Sequence, residues 1–124
     1  MAQAYWDLPQ LAGIYLEDSF VLGLQEVDDV LAFEMEFVLT PEHPDYRPAQ
    51  PNQQHCYARG ELRFVRPRMV DWIRRTLCTS TDATGEVDFG AIDALTLEAG
   101  RYRLEGDWGE VQLNADTVEV RLTT

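Results

Sequence analysis

Leu31-Ala32-Phe33-Glu34-Met35-Glu36-Phe37-Val38-Leu39 is the stretch on which the fold reading turns. Large apolar residues hold every odd position, and Glu34 and Glu36 stand between them. A period of two describes a strand with one buried face and one wet face. Upstream, residues 18–27 carry Phe20, Val21, Leu22, Leu24 and Val27 and are also strand-like. Asp28-Asp29 separates the two runs, so they read as a β-hairpin. Downstream the style repeats. Residues 94–98 and 101–105 flank Ala99-Gly100, and residues 110–114 and 117–122 flank Ala115-Asp116. Short alternating runs broken by Gly or Asp predict a mainly β protein, an antiparallel sandwich or a partly open barrel.

Two stretches interrupt this pattern. Residues 40–54 hold Pro41, Pro44, Pro48 and Pro51. Proline fixes φ and removes amide donors, so the segment reads as a long loop with extended pieces. Residues 67–77 admit two readings. Met69, Ile73 and Leu77 lie four apart, which suits one face of a short helix opened by Pro67. Val70 and Trp72 lie two apart, which suits a strand continuing from Leu62 and Phe64. The β surroundings favour the strand, and a short helix across one end of the sheet is the alternative.

The 124 residues fit a single globular domain, 1–124, with a core large enough to need no staples. Ten Arg and no Lys stand against 22 Asp and Glu, a net charge of −12. The charge is segregated. Residues 1–46 contain ten carboxylates and no cation, residues 47–79 contain seven arginines, and acidic residues dominate again after 80. Such a body repels anions and attracts cations. The segment with Arg59, Arg63, Arg66, Arg68, Arg74 and Arg75 therefore reads as a partner for the protein's own carboxylates rather than a nucleic-acid site. The hairpin face with Glu34 and Glu36 is a candidate for that pairing. The start has no basic and apolar leader, and no apolar run is long enough to span a bilayer. The expected location is the cytoplasm. Cys56 and Cys78 read by default as reduced thiols, with a disulfide as the alternative.

Motifs for chemistry are sparse. Glu42, His43, Asp45, His55 and Cys56 are metal-ligand types around the proline loop, but their spacing matches no paired zinc signature. Asp82, Gly85, Glu86 and Asp88 suggest a calcium loop only loosely, and plain turn chemistry accounts for them. His55 and Cys56 are adjacent, so on a strand they face opposite sides and cannot form a nucleophile–base pair. No Gly-x-Ser-x-Gly elbow or Gly-rich phosphate loop occurs. Asp107 with Glu105 or Glu110 would be a carboxylate pair for acid–base work, a signal weakened by the abundance of carboxylates. Gly106-Asp107-Trp108-Gly109 is the most distinctive local motif. Trp108 reads either as an indole folded onto the core behind a tight bend or as an exposed stacking platform. Trp6, Tyr46 and Tyr57 raise the same question.

Four strings taken together carry a resemblance. They are Tyr15-Leu16-Glu17-Asp18-Ser19, Thr40-Pro41-Glu42-His43-Pro44, Gly85-Glu86-Val87-Asp88-Phe89-Gly90, and residues 102–111. They resemble a group of small, single-domain, mainly β bacterial proteins of unknown function, some of which are discussed as immunity-type partners of secreted toxins. The resemblance implies a bacterial β-protein and supplies no catalytic residue. The expectation is a non-enzymatic acidic binding protein with no cofactor, metal, nucleic-acid or membrane partner, and with its oligomeric state open. A cationic protein would meet an acidic surface drawn from Glu34, Glu36, Glu42, Asp45, Asp107, Trp108 and Glu110. The alternative is a small-ligand or carbohydrate-binding β domain using Trp108 and the proline loop.

Overall fold

The odd-numbered apolar residues of 31–39 all reach the core. Leu31, Phe33, Met35, Phe37 and Leu39 are at most 3% exposed, while Glu34 faces water. Burying each such side chain contributes about 1.5–3 kcal/mol, so this one strand anchors a large share of the interior. A computed structural model describes residues 3–49, 51, 55–75, 80–81 and 87–123. Cys78 and residues 82–86 fall outside it, and with them the Cys56–Cys78 pairing and most of the calcium-like turn.

The chain is mainly β, with two antiparallel sheets packed together and not closed into a barrel. Its strands are β1 (Gln3–Ala4), β2 (Ile14–Val27), β3 (Val30–Leu39), β4 (Cys56–Val65), β5 (Arg68–Arg75), β6 (Ser80–Thr81), β7 (Val87–Asp88), β8 (Ile92–Glu98), β9 (Arg101–Gly106), β10 (Gly109–Asn114) and β11 (Thr117–Leu122). One sheet has the order β1-β8-β9-β10-β5 and the other β11-β4-β3-β2, with β6 and β7 as a separate small pair. The facing sides interlock through aromatic rings. Phe33 meets Trp108 at 4.9 Å between centroids, and Phe64 meets Tyr102 at 5.2 Å.

Asp28 and Asp29 do turn the β2–β3 hairpin, joining the paired residues Val27 and Val30. Both have left-handed φ values, 53° and 62°, the twist a two-residue hairpin turn demands. Ala99 (φ 50°) and Gly100 (φ 78°) repeat this between β8 and β9. The break at residues 115 and 116 is different. Here the chain leaves the five-stranded sheet and enters the other, where β11 pairs with β4.

A second crossover, at residues 66 and 67, lies against the first. The Asp116 N–H donates to Val65 O at 2.8 Å, and the Asp116 carboxylate is gripped by Arg68 at 2.7 Å and Arg66 at 3.1 Å. The Arg68 hydrogen bond holds the Asp116 carboxyl below its usual range. Its folded pKa is depressed, so the stabilisation is present at neutral pH and fades as pH falls through the acid range. Asp116→Asn should lower Tm at neutral pH and remove part of the further loss below about pH 4, in melts followed down to about pH 2.5.

The helix alternative for residues 67–77 fails over its described part, where Arg68–Arg75 is strand β5. The four-residue spacing of Met69 and Ile73 arises from two bulges. Opposite β10, Ile73 is skipped between the pairs Glu110–Arg74 and Val111–Trp72, and Met69 and Val70 stand against Leu113 alone. Met69 and Ile73 are 76% and 52% exposed, while Trp72 packs on Trp108. Edge strands commonly carry such bulges and charges, which discourage pairing with another chain.

Candidate functional site

A concave aromatic surface lies near the start of the described chain. After β1, two short 3-10 turns occupy Tyr5–Asp7 and Pro9–Leu11. Residues three apart stack on one side of such turns, and Tyr5, Leu8 and Leu11 are all buried. Trp6 is off that side and is 63% exposed, an unusual state for tryptophan. Its ring makes a T-shaped contact with Tyr5 at 5.1 Å.

The neighbouring wall is a wide bulge in β2. Tyr15 pairs with Val38 and Phe20 pairs with Glu36, so four residues of β2 span the place of Phe37 alone. Such a bulge strands backbone groups, and two hydroxyls satisfy them. Tyr5 Oη accepts from the Leu16 N–H at 3.1 Å and donates to Glu17 Oε1. Ser19 Oγ donates to Tyr15 O at 2.7 Å and accepts from the Val38 N–H at 2.8 Å. Burial, and then the bond to Glu17, push the Tyr5 phenol well above its ordinary pKa near 10. A raised folded pKa stabilises below about pH 10 and loses that contribution as pH rises further. Tyr5→Phe should therefore flatten part of the alkaline loss of Tm above about pH 10, the remainder coming from Tyr57 and Tyr102, whose phenols burial also raises.

The far wall is the first part of the proline loop. Thr40 N–H donates to Gly13 O at 2.9 Å, and turns bonded His43 N to Thr40 O and Tyr46 N to His43 O follow. Gly13 has φ 78°, and a Cβ there would lie 2.7 Å from the His43 backbone, so glycine lets the loop close against the β2 start. The result is a cleft of about 490 Å³ lined by Trp6, Tyr15, Glu17, Thr40, Pro41 and Glu42, among others. That volume falls within the range of small-ligand sites, about 300–1,000 Å³. Thr40 Oγ1 is buried and has no hydrogen-bond partner among the described residues.

The residues singled out in the sequence mostly lie elsewhere. Glu42 alone of the seven lines this cleft. Trp108 is 0% exposed and its indole N–H donates to Ala91 O at 3.2 Å, which corrects its assignment to an interaction surface. Glu110 is engaged by Arg103 at 2.9 Å, and Glu105 binds the same guanidinium at 3.3 Å. A single guanidinium thus holds two members of the imagined acid–base set in place. Glu36 pairs across the strands with Arg59 at 3.5 Å, the kind of pairing expected for the arginine segment. Glu34 is exposed opposite Glu61, and Asp107 is exposed at the β9–β10 turn beside Gly90. Asp45 borders a separate hollow of about 460 Å³ with Tyr46, Arg47, Cys56 and Tyr57.

The would-be metal ligands make other contacts. His43 Nδ1 accepts from the Asp45 N–H, His55 pairs with Asp18 at 3.3 Å, and Cys56 Sγ accepts from the Arg47 N–H at 3.4 Å. Among the described residues no three His, Cys, Asp or Glu side chains converge as a metal site would require. Among those residues, also, no helix is long and apolar enough to cross a membrane. No family model, curated protein or solved structure matches the chain.

Proposed function

We propose that the protein is a non-enzymatic binding protein that meets a cationic protein partner through its acidic surface, in the manner of the bacterial immunity-type proteins its sequence resembles. The observation that carries this reading is the cleft, where an exposed indole stands beside carboxylates that no arginine neutralises. Of the cleft's carboxylates, Glu42 makes no ion pair among the described residues, and Glu17 is bound by the neutral Tyr5 hydroxyl. Elsewhere most of the arginines are engaged with the chain's own carboxylates. Arg59, Arg63, Arg66, Arg68, Arg75, Arg103 and Arg121 each contact a carboxylate of the chain. Unbalanced carboxylates speed encounter with a cationic partner and make binding salt-sensitive. Affinity capture from the source organism tests this. A cationic protein should be retained at low salt and released at high salt, and recovery of no such protein at any salt would overturn the proposal.

Exposed Trp6 also favours a second reading, a small-carbohydrate site in the same cleft, with Trp6 in the role first considered for Trp108. Indole emission that shifts with a glycan would support it, and emission indifferent to a broad glycan panel would remove it.

A further inference from the structure

Resting on the cationic-partner reading, we infer that the cleft of Trp6, Tyr15, Glu17, Thr40 and Glu42 is an anchoring site for an arginine side chain of that partner. Three features favour this occupant. A guanidinium is planar and weakly hydrated, so it stacks on an indole at lower desolvation cost than an ammonium does. Trp6 offers such a surface, since its one ring contact, to Tyr5, leaves it 63% exposed. The guanidinium also carries five donors, and the cleft supplies acceptors in the Glu17 and Glu42 carboxylates.

The protein itself contains the same combination. Arg75 lies with its guanidinium carbon 4.5 Å from the centre of the Trp72 ring, and its Nη1 reaches Glu26 at 3.3 Å. One indole and one carboxylate thus hold an arginine within this fold. The cleft repeats the indole and has two carboxylates, yet no arginine of the described chain lines it. Its walls are set before any partner arrives. Tyr5 Oη fixes Glu17, and the Thr40–Gly13 bond fixes the loop that bears Glu42. The other large hollows fit a cation less well. Arg47 borders the one beside Cys56, and Arg101 and Arg103 border one on the outer face of the five-stranded sheet. A neutral saccharide would stack on Trp6 but leave the two carboxylate charges uncompensated.

The test compares two short peptides of equal length and charge, one built on arginine and one on lysine, titrated at low salt by calorimetry. The arginine peptide should bind roughly tenfold tighter. Trp6→Ala should weaken it by roughly 3- to 30-fold, and Glu42→Gln should weaken it by roughly 3-fold. Glu98→Gln, at an exposed carboxylate of β8 that does not line the cleft, should change it little. Both site variants alter exposed side chains, and unchanged melting curves would verify their folding. Equal binding of the two peptides, with no effect of Trp6→Ala, would overturn the arginine anchor and leave the acidic-surface reading standing. Binding of neither peptide at low salt would overturn both. Trp6-dependent binding of a neutral oligosaccharide in their place would assign the cleft to a glycan.

Discussion

Replacing Trp108 with alanine should destabilise the protein by about 3–5 kcal/mol, the usual cost of removing a buried aromatic. For a chain of this size that is a fall in Tm of roughly 10–20 °C, measurable by calorimetry or circular dichroism. The indole is fully buried where the two sheets meet. It packs on Phe33 of β3 at 4.9 Å and on Trp72 of β5 at 6.1 Å, so its loss opens a void shared by both layers. Its N–H also satisfies Ala91 O at 3.2 Å. Trp108→Phe should therefore cost less than alanine but still measurably, because it fills much of the space and leaves that carbonyl without its donor. The neighbourhood has no slack. A Cβ on Gly106 would collide with Ala91 O and with the indole nitrogen itself. A Trp108→Ala protein that melted like the parent would contradict this placement.

Ser19→Ala should produce the second large effect, about 2–4 kcal/mol, from the loss of a single oxygen. Ser19 is fully buried, and its hydroxyl serves both the Tyr15 carbonyl and the Val38 amide where the β2 bulge breaks the ladder. Alanine fits the space but leaves the buried Val38 amide and the part-buried Tyr15 carbonyl without this partner, and a buried group so stranded costs about 1–3 kcal/mol. The loss should be focused at the bulge. Hydrogen exchange at Val38 should accelerate more than exchange at Leu62 or Leu104, which lie in the interior of regular strands. Uniform acceleration, or none, would show that the hydroxyl does not hold the bulge.

Much of the architecture was legible because it is periodic. The odd apolar residues of 31–39 and the turn residues Asp28, Asp29, Ala99 and Gly100 carry local signals, and the structure uses each as read. The two crossovers were not legible. Residues 115 and 116 look like another hairpin turn, and only the pairing of β11 with β4 instead of β10 distinguishes them. The bulge at residues 16–19 was hidden for a related reason. Four residues against one add an odd number of positions and so flip which face points inward: burial passes from the even positions Ile14 and Leu16 to the odd positions Ser19 and Val21.

The site was less legible than the fold. Glu36 read both as a partner for the arginine segment and as part of an acidic surface, and Glu110 as part of that surface alone; strand order places Arg59 and Arg103 against them. No local pattern reveals which cation meets which carboxylate across strands far apart in sequence. Trp108 drew notice through its flanking glycines, yet those glycines serve a crowded core. Trp6 has no such motif around it. The available signal was the three-residue spacing of Tyr5, Leu8 and Leu11 beside Pro9, which marks a 3-10 path and turns Trp6 outward. Glu17 and Thr40 then join it only because Gly13 lets the proline loop close against β2.

Whether the Trp6 cleft receives a cationic partner is tested most directly by a map of nuclear magnetic resonance shifts as an arginine-rich peptide is added at low salt. The Trp6 indole N–H and the amides of Tyr15, Glu17, Thr40 and Glu42 should move most, and added salt should reverse the change. Shifts centred on Asp107–Glu110 or on the Glu34 face, with the Trp6 indole unmoved, would contradict binding at the cleft.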